Sequence, residues 1–383
     1  MSFASDLYLS RKPAKAFVLM GVVWAVFAAT MPDLKSQIGA SDAAFGVAFM
    51  IANLSAFGAA WCAPRADHLL GRFGVAVMGL MMALGLLGMG ASPSVVVFML
   101  FGLWAALMSG ICDILMNARV VEAESRSGRP LMNLNHALFS FSYAGAALVT
   151  GVLRDAGWSP LETASLVVLI ALLFMPGMII APEAAPAAGS LRPKRGGRVV
   201  IWLLGLVVMA SFITETTVET WSALHLERSL GGTAAQGALG PALIGITMGL
   251  GRLLGQAVAS RFSDIAILGV TCIVSACGMV GIGLAPNLMV AYLGLSVLGF
   301  GIALVYPMAL SMVGRIVPAP DRVRAIGLAT IIGYSAFFIG PSLVGISADL
   351  FGLHMAFVLI GALMAGVALM ILPMIARRAT AEV

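Results

Sequence analysis

Twelve membrane-spanning helices in two pseudo-symmetric six-helix bundles, an all-α membrane protein, is the architecture this sequence predicts, on three observations. Of the 383 residues, 61% are hydrophobic and 10% charged, against roughly 25% charged in a soluble globular chain. Apolar runs of the roughly 20 residues that cross a bilayer as a helix recur along the whole chain. They are interrupted at length once, at Ala181–Arg198, where three prolines, three glycines and five charged side chains can neither continue a helix nor bury a core. The runs are continuous rather than alternating with period 2, which excludes a membrane β-barrel.

Taken in order, the first six spans fall near residues 14–32, 43–64, 73–91, 95–120, 131–153 and 163–181. The other six fall near 199–224, 238–261, 265–284, 288–313, 323–347 and 354–376. The chain thus divides into an N-terminal bundle, 1–181, a cytoplasmic linker, 182–198, and a C-terminal bundle, 199–383. The first run follows Arg11, Lys12 and Lys15 and superficially resembles a signal peptide, with Ala28-Ala29-Thr30 as a cleavage site. Its length, and a matching copy after the linker, favour a retained span. With the N-terminus inside, the cytoplasmic segments and helix ends hold eighteen of the twenty-two Lys and Arg residues. The outer loops hold Lys35, Arg154 and Arg228, and Arg252 lies within a span, so both termini read as cytoplasmic. The net charge of +5 is scattered singly and forms no stripe for nucleic acid. Cys62, Cys112, Cys272 and Cys277 lie in apolar segments without metal-ligand spacing and read as small hydrophobes.

An internal repeat supports two bundles of the same design. Leu34, Ile38, Gly39 and Ser41 recur as Leu226, Leu230, Gly231 and Thr233, Arg119-Val-Val as Arg315-Ile-Val, and Gly151 with Asp155 as Gly345 with Asp349. The separations cluster between 192 and 196 residues. Two parallel six-helix repeats are the arrangement in which a carrier forms its substrate site near the bilayer midplane.

With these features the chain resembles the major facilitator superfamily over essentially its full length. The segment Asp67-His68-Leu69-Leu70-Gly71-Arg72 is similar to that superfamily's Asp-Arg-x-Gly-Arg signature, with one residue inserted and His68 for the first Arg. The resemblance implies a cytoplasmic gate loop in which Asp67 and Arg72 pair near Glu122; a charged loop obeying the topology rule is the alternative. Glu215-Thr-Thr-Val-Glu219-Thr-Trp221-Ser, with Asp113 and Asn117, resembles a bacterial inner-membrane branch distantly akin to fucose permeases. The Gly-Pro pair of drug exporters is absent from span five, which reads YAGAALVTG, and Gly340-Pro341 stands in span eleven instead. Pro307 and Pro341 read as kinks or as gating bends. Gly245, Gly249, Gly251 and Gly255 give span eight faces for close packing.

The ionisable residues inside spans are the functional candidates, since an acid or Arg at a helix centre costs about 2.5 to 3.5 kcal/mol on insertion scales. Glu215 and Glu219 share a face of span seven, where two close carboxylates do not both ionise cheaply; they, Asp113 and His136 are the proton-coupling candidates. Glu219 and Trp221 alternatively sit at the outer interface, and His136 alternatively serves structure. Asp113 and Arg252, at similar depth, read as an intramembrane ion pair. The fold that the resemblance implies lines its cavity with Trp24, Asn117 and Tyr306, with Asn53, Tyr143, Gln256 and Tyr334 from flanking helices. Aromatic faces with scattered amides suit a small polar or amphipathic organic solute.

No phosphate-binding loop and no catalytic grouping occurs, so ATP drive and an enzyme are not expected. The expected function is secondary active transport by alternating access, with proton-coupled uptake ahead of proton-coupled efflux of an amphipathic compound. A transport-fold sensor is the reading from another class. The expected partners are a small-molecule substrate, protons and the lipid bilayer of a bacterial inner membrane, for a monomer without cofactor, metal or nucleic acid.

Overall fold

A computed structural model describes residues 3–129, 131–182, 198–259, 262–316 and 322–381, and these are almost entirely helical. The first half contains α1 (Phe3–Ser10), α2 (Pro13–Gln37), α3 (Asp42–Leu70), α4 (Gly74–Gly90), α5 (Val95–Ser127), α6 (Met132–Asp155) and α7 (Pro160–Phe174). The second contains α8 (Arg198–Leu224), α9 (Ala234–Ala259), α10 (Asp264–Gly283), α11 (Leu288–Ile316), α12 (Arg322–Phe351), α13 (Leu353–Gly366) and α14 (Leu372–Ala381). Among the described residues eleven helical runs are long and apolar enough to cross a membrane, one of them, Trp61–Gly90, joining the end of α3 to α4. With the apolar run Asp42–Ser55 of α3 as its own span, the membrane helices number twelve.

Local chemistry sets the ends. Ser41, Ser94, Ser159 and Ser263 cap α3, α5, α7 and α10, each hydroxyl accepting a first-turn N–H, and Glu162 completes a capping box with Ser159. Helix α7 tightens into a 3₁₀ turn at Met175–Met178, where Pro176 lacks an N–H to continue the ladder. Helix α5 runs two turns past the expected end near residue 120 and stops only at Gly128, whose φ of +66° suits glycine. The signature segment expected as a loop is helical through Leu70, and its Gly71 (φ +51°) turns the chain into the 3₁₀ turn Gly71–Phe73. Helix α8 ends in a π-helical turn at His225–Ser229.

The described chain forms two compact units, Met1–Ala185 with Gly232–Ala242, and Pro186–Gly231 with Leu243–Val383. The expected linker lies, apart from its ends, outside the described residues. In the first unit α2 packs on α6, α3 and α4 on α5, and α7 on α4; in the second α8 packs on α12 and α11, and α10 on α11 and α13. The close approaches repeat. A Cβ at Gly85 would lie 2.7 Å from that of Ala105, and one at Gly278 would lie 2.7 Å from that of Leu298. A Cβ at Gly90 would lie 2.8 Å from the Pro160 carbonyl oxygen, and one at Gly283 would lie 2.5 Å from that of His354. Each second contact stands 193 or 194 residues after the first, the same offset as the sequence repeat. Glycine at these positions is what lets the helix backbones meet.

Candidate functional site

Three groups of polar side chains stand out, each inside one unit. The first lies where α3 ends beside α5. Arg119 of α5, its side chain only 2% exposed, pairs with Asp67 of α3 and, at 2.5 Å, with Glu122 one turn along its own helix. Arg72, the expected base of this cluster, sits instead in the 3₁₀ turn with its guanidinium 4.8 Å from the Phe73 ring centre. The correction has a simple cause: Gly71 turns the chain away just before Arg72, whereas Arg119 shares the face of Glu122. Below it Glu124 accepts the N–H groups of Leu131 and Met132, 2.5 and 2.8 Å, and so closes the first turn of α6.

The second group lies in the first unit, part of it around a small cavity. Trp24 donates its indole N–H to Ser109, 3.2 Å, and meets Phe27 edge-on. Trp24 and Phe27, with Asn53, Phe49 and Met82, border a void of about 20 Å³, room for a single water. Asn117 is turned onto its own helix, donating to the Asp113 carbonyl at 2.8 Å and the Asp113 carboxylate at 3.0 Å. Tyr143, 2% exposed, stacks on Phe139 and packs in a core with Ala25, Ala28, Ala147 and Ala242. His136 lies edge-on to Phe17 at 5.1 Å.

The third group is a wall in the second unit. Phe212, Glu215 and Glu219 follow one face of α8, at spacings of three and four residues. The Phe212 ring lies 4.8 Å from Tyr306 of α11, and 5.8 and 5.2 Å from Tyr334 and Phe337 of α12. Arg252 of α9 brings Nη2 to 3.8 Å from Glu215 Oε1, a partner the sequence reading did not give it. Glu219 lies within electrostatic reach of both. The side chains of Arg252 and Glu215 keep 37% and 21% exposure. Glu215 stands one residue past the middle of the span Val199–Ser229, a depth at which charges favour one another or a water-filled cavity over hydrocarbon. Trp221 is fully buried in the second unit. The side chain of Gln256 lies outside the described residues.

Sequence reasoning missed Arg119, Phe212, Phe337 and the pair of Arg154 with Asp33, which is bidentate at 2.6 and 2.8 Å. The signals available were the i, i+3 spacing of Arg119 to Glu122 and of Phe212 to Glu215. Among the described residues no cluster of His, Cys, Asp and Glu could hold a metal ion.

A family model described as Major Facilitator Superfamily matches residues 16–318 and 204–382. An uncharacterized MFS-type transporter of Yersinia pestis is 28% identical over 353 residues, 89% of each chain. Among solved structures, nucleoside transporter NupG superposes with a TM-score of 0.79 at 12% identity, covering 96% of this chain and 99% of that one. A D-xylose–proton symporter superposes with a TM-score of 0.75 at 16% identity, covering 97% of each. At these identities the two structures show the fold alone.

Proposed function

The chain belongs to the major facilitator superfamily, transporters rather than enzymes, and from that membership we propose that it moves a small organic solute across a bacterial inner membrane by alternating access, coupled to protons. The observation that carries the proposal is the wall of the second unit, where two carboxylates and an arginine stand at membrane depth beside four aromatic rings. Charges there are costly unless they serve a wet, functional surface. Phe212, Tyr306, Tyr334 and Phe337 provide stacking faces for a solute. Trp24, Asn53, Asn117, Tyr143 and Gln256 complete the proposed substrate set, with both termini cytoplasmic, the chain monomeric, and its branch the one distantly akin to fucose permeases.

Glu215 and Glu219 are the proposed proton carriers, ahead of Asp113 and His136. Their environments differ: Glu215 has Arg252 at 3.8 Å, while Glu219, one turn on, faces the excess negative charge. Proton binding shifts the carrier between states only through its differential affinity for them. Uptake with the proton is the leading direction, and the proton symport named for one solved structure of the same fold supports it as an analogy. The test replaces Glu215 and Glu219 singly by Gln in proteoliposomes. We expect at least one variant to lose accumulation driven by a pH gradient while retaining solute exchange; if both still accumulate, the coupling site lies elsewhere. The pairing of Asp113 with Arg252, read from depth along the sequence, also stays a proposal. Melting of the D113N, R252Q and double variants decides it, a double loss milder than the sum supporting the pair and an additive one rejecting it.

A further inference from the structure

We propose that the wall of the second unit recognises a flat-ringed organic cation, with its ring against the Phe212, Tyr306, Tyr334 and Phe337 cluster and its positive charge on Glu219. The inference rests on the carrier reading above and adds the chemical class of the cargo. Three observations lead to it.

First, the charges do not cancel. Glu215 and Glu219 supply two carboxylates and Arg252 a single guanidinium, and Arg252 is placed on Glu215. Glu219 is the acid left over, on the same helix face. Second, the rings gather around Phe212, on the same face of α8 as that acid and two turns before it, and they come from α8, α11 and α12 rather than from the arginine's own helix. Tyr334 keeps 41% exposure, so the protein itself leaves part of this aromatic surface uncovered. Aromatic rings attract cations over their faces and stack flat systems, and they offer an anion nothing comparable. Third, the dimensions fit a compact molecule. Phe212 and Glu219 are seven residues apart on α8, about 10 Å along the axis at 1.5 Å per residue. A cargo whose nitrogen is within that distance of its ring reaches both.

The ionisable groups that face Glu219 are Glu215 on its own helix and Arg252 on α9, with the phenols of Tyr306 and Tyr334 at the ring cluster. As classes, phenols and guanidinium groups do not titrate near neutral pH. A proton taken by either carboxylate therefore removes the excess negative charge, and the cation is held more weakly.

Ethidium, a flat fluorescent cation, tests this with the purified full chain, and the non-basic lactam phenanthridinone is its uncharged ring control. We expect ethidium affinity to fall as pH is lowered, by up to about tenfold per unit where a carboxylate takes its proton, while phenanthridinone binding stays flat. E219Q should weaken ethidium binding and flatten its pH dependence. R252Q should strengthen it, because a second carboxylate is then unmatched; opposite changes from two variants are not produced by damage to the fold. Equal binding of the two probes, or ethidium binding unaffected by both variants, overturns the inference. Proteoliposomes separate this from the carrier reading. Ethidium that binds in this pattern but never crosses upholds the cation site and counts against transport. Proton-driven uptake of an uncharged solute that ethidium does not inhibit leaves the carrier standing and sinks the cargo class.

Discussion

Arg119 is the residue on which the end of the first unit turns. It holds Asp67 of α3 and Glu122 of α5 with a side chain 2% exposed, so its loss leaves two carboxylates facing each other without a cation. Removing one partner of a fully enclosed pair costs about 3 to 5 kcal/mol. Asp67 retains 31% exposure, which lowers the expectation for Arg119→Ala to about 2 to 3 kcal/mol of stability, read as a drop in melting temperature. Arg72→Ala removes only a guanidinium over a surface ring and should cost less than about 1 kcal/mol; equal losses would put Arg72 back in the cluster. The sequence carried Asp67 and Glu122 openly, through a recognisable signature. It did not carry Arg119, because one more basic residue at a helix end read as cytoplasmic looks like the ordinary charge bias of membrane topology. Glu215 and Glu219 were legible for the opposite reason: acids inside an apolar run have no bland composition to hide in. The approach of Arg252 to Glu215 was not legible, because depth counted along a helix says nothing about which way its face points.

At the scale of elements, the short helix α1 shows what binds a polar segment to a membrane bundle. Asp6 pairs with Arg129 in two hydrogen bonds, and Asn135 of α6 donates to Ser10 at 3.1 Å. The hydrogen bonds from Arg129 hold the Asp6 carboxyl below its ordinary value of 3.8. A depressed acid contributes fully above that ordinary value and loses its contribution as pH falls through the lower folded one. Helix α1 should therefore stay docked at neutral pH and loosen only in strong acid. Asp6→Asn should bring the loosening to neutral pH, seen as faster proteolysis near residues 3–12, and unchanged cleavage would mean that Asn135 and Ser10 suffice. Glycines give a second prediction at this scale. A Cβ at Gly278 would meet the Leu298 backbone nitrogen at 2.5 Å, whereas at Gly366 nothing lies within 4 Å. Gly278→Ala should cost about 1 to 3 kcal/mol by forcing α10 from α11, while Gly366→Ala should be neutral or stabilise by about 0.4 to 1 kcal/mol. Thermal melting of the two variants side by side decides it. Element existence was readable from apolar length, but ends were not. Residues 121–127 of α5 are too polar to announce a span, and only the Arg119 cluster and Gly128 explain why the helix continues and where it stops.

For the whole molecule, the fold class was legible because three independent features agreed: apolar length, charge bias and a repeat near 193 residues. The repeat has a physical content that letters alone did not give, since the same glycine-mediated helix contacts recur at that offset. The division into units was less legible. Gly232–Ala242 groups with the first unit, where Thr233 donates to Asp155 at 3.1 Å and Gly151 packs against Ala235 and Ala238. Hydropathy treats that stretch as one more span of the second half, for nothing in apolar content says what a helix touches. The order of synthesis gives this placement a meaning. A ribosome that has delivered the first seven membrane helices has not yet delivered the stretch that covers Gly151. Until α9 emerges, α6 carries a bare glycine notch, the kind of surface that quality-control proteases and insertion chaperones grip. A nascent chain stalled before residue 232 should thus be degraded faster than one stalled after residue 242, even though both contain the complete first six spans. Maturation of the amino-terminal half would then be timed by translation of the carboxy-terminal one.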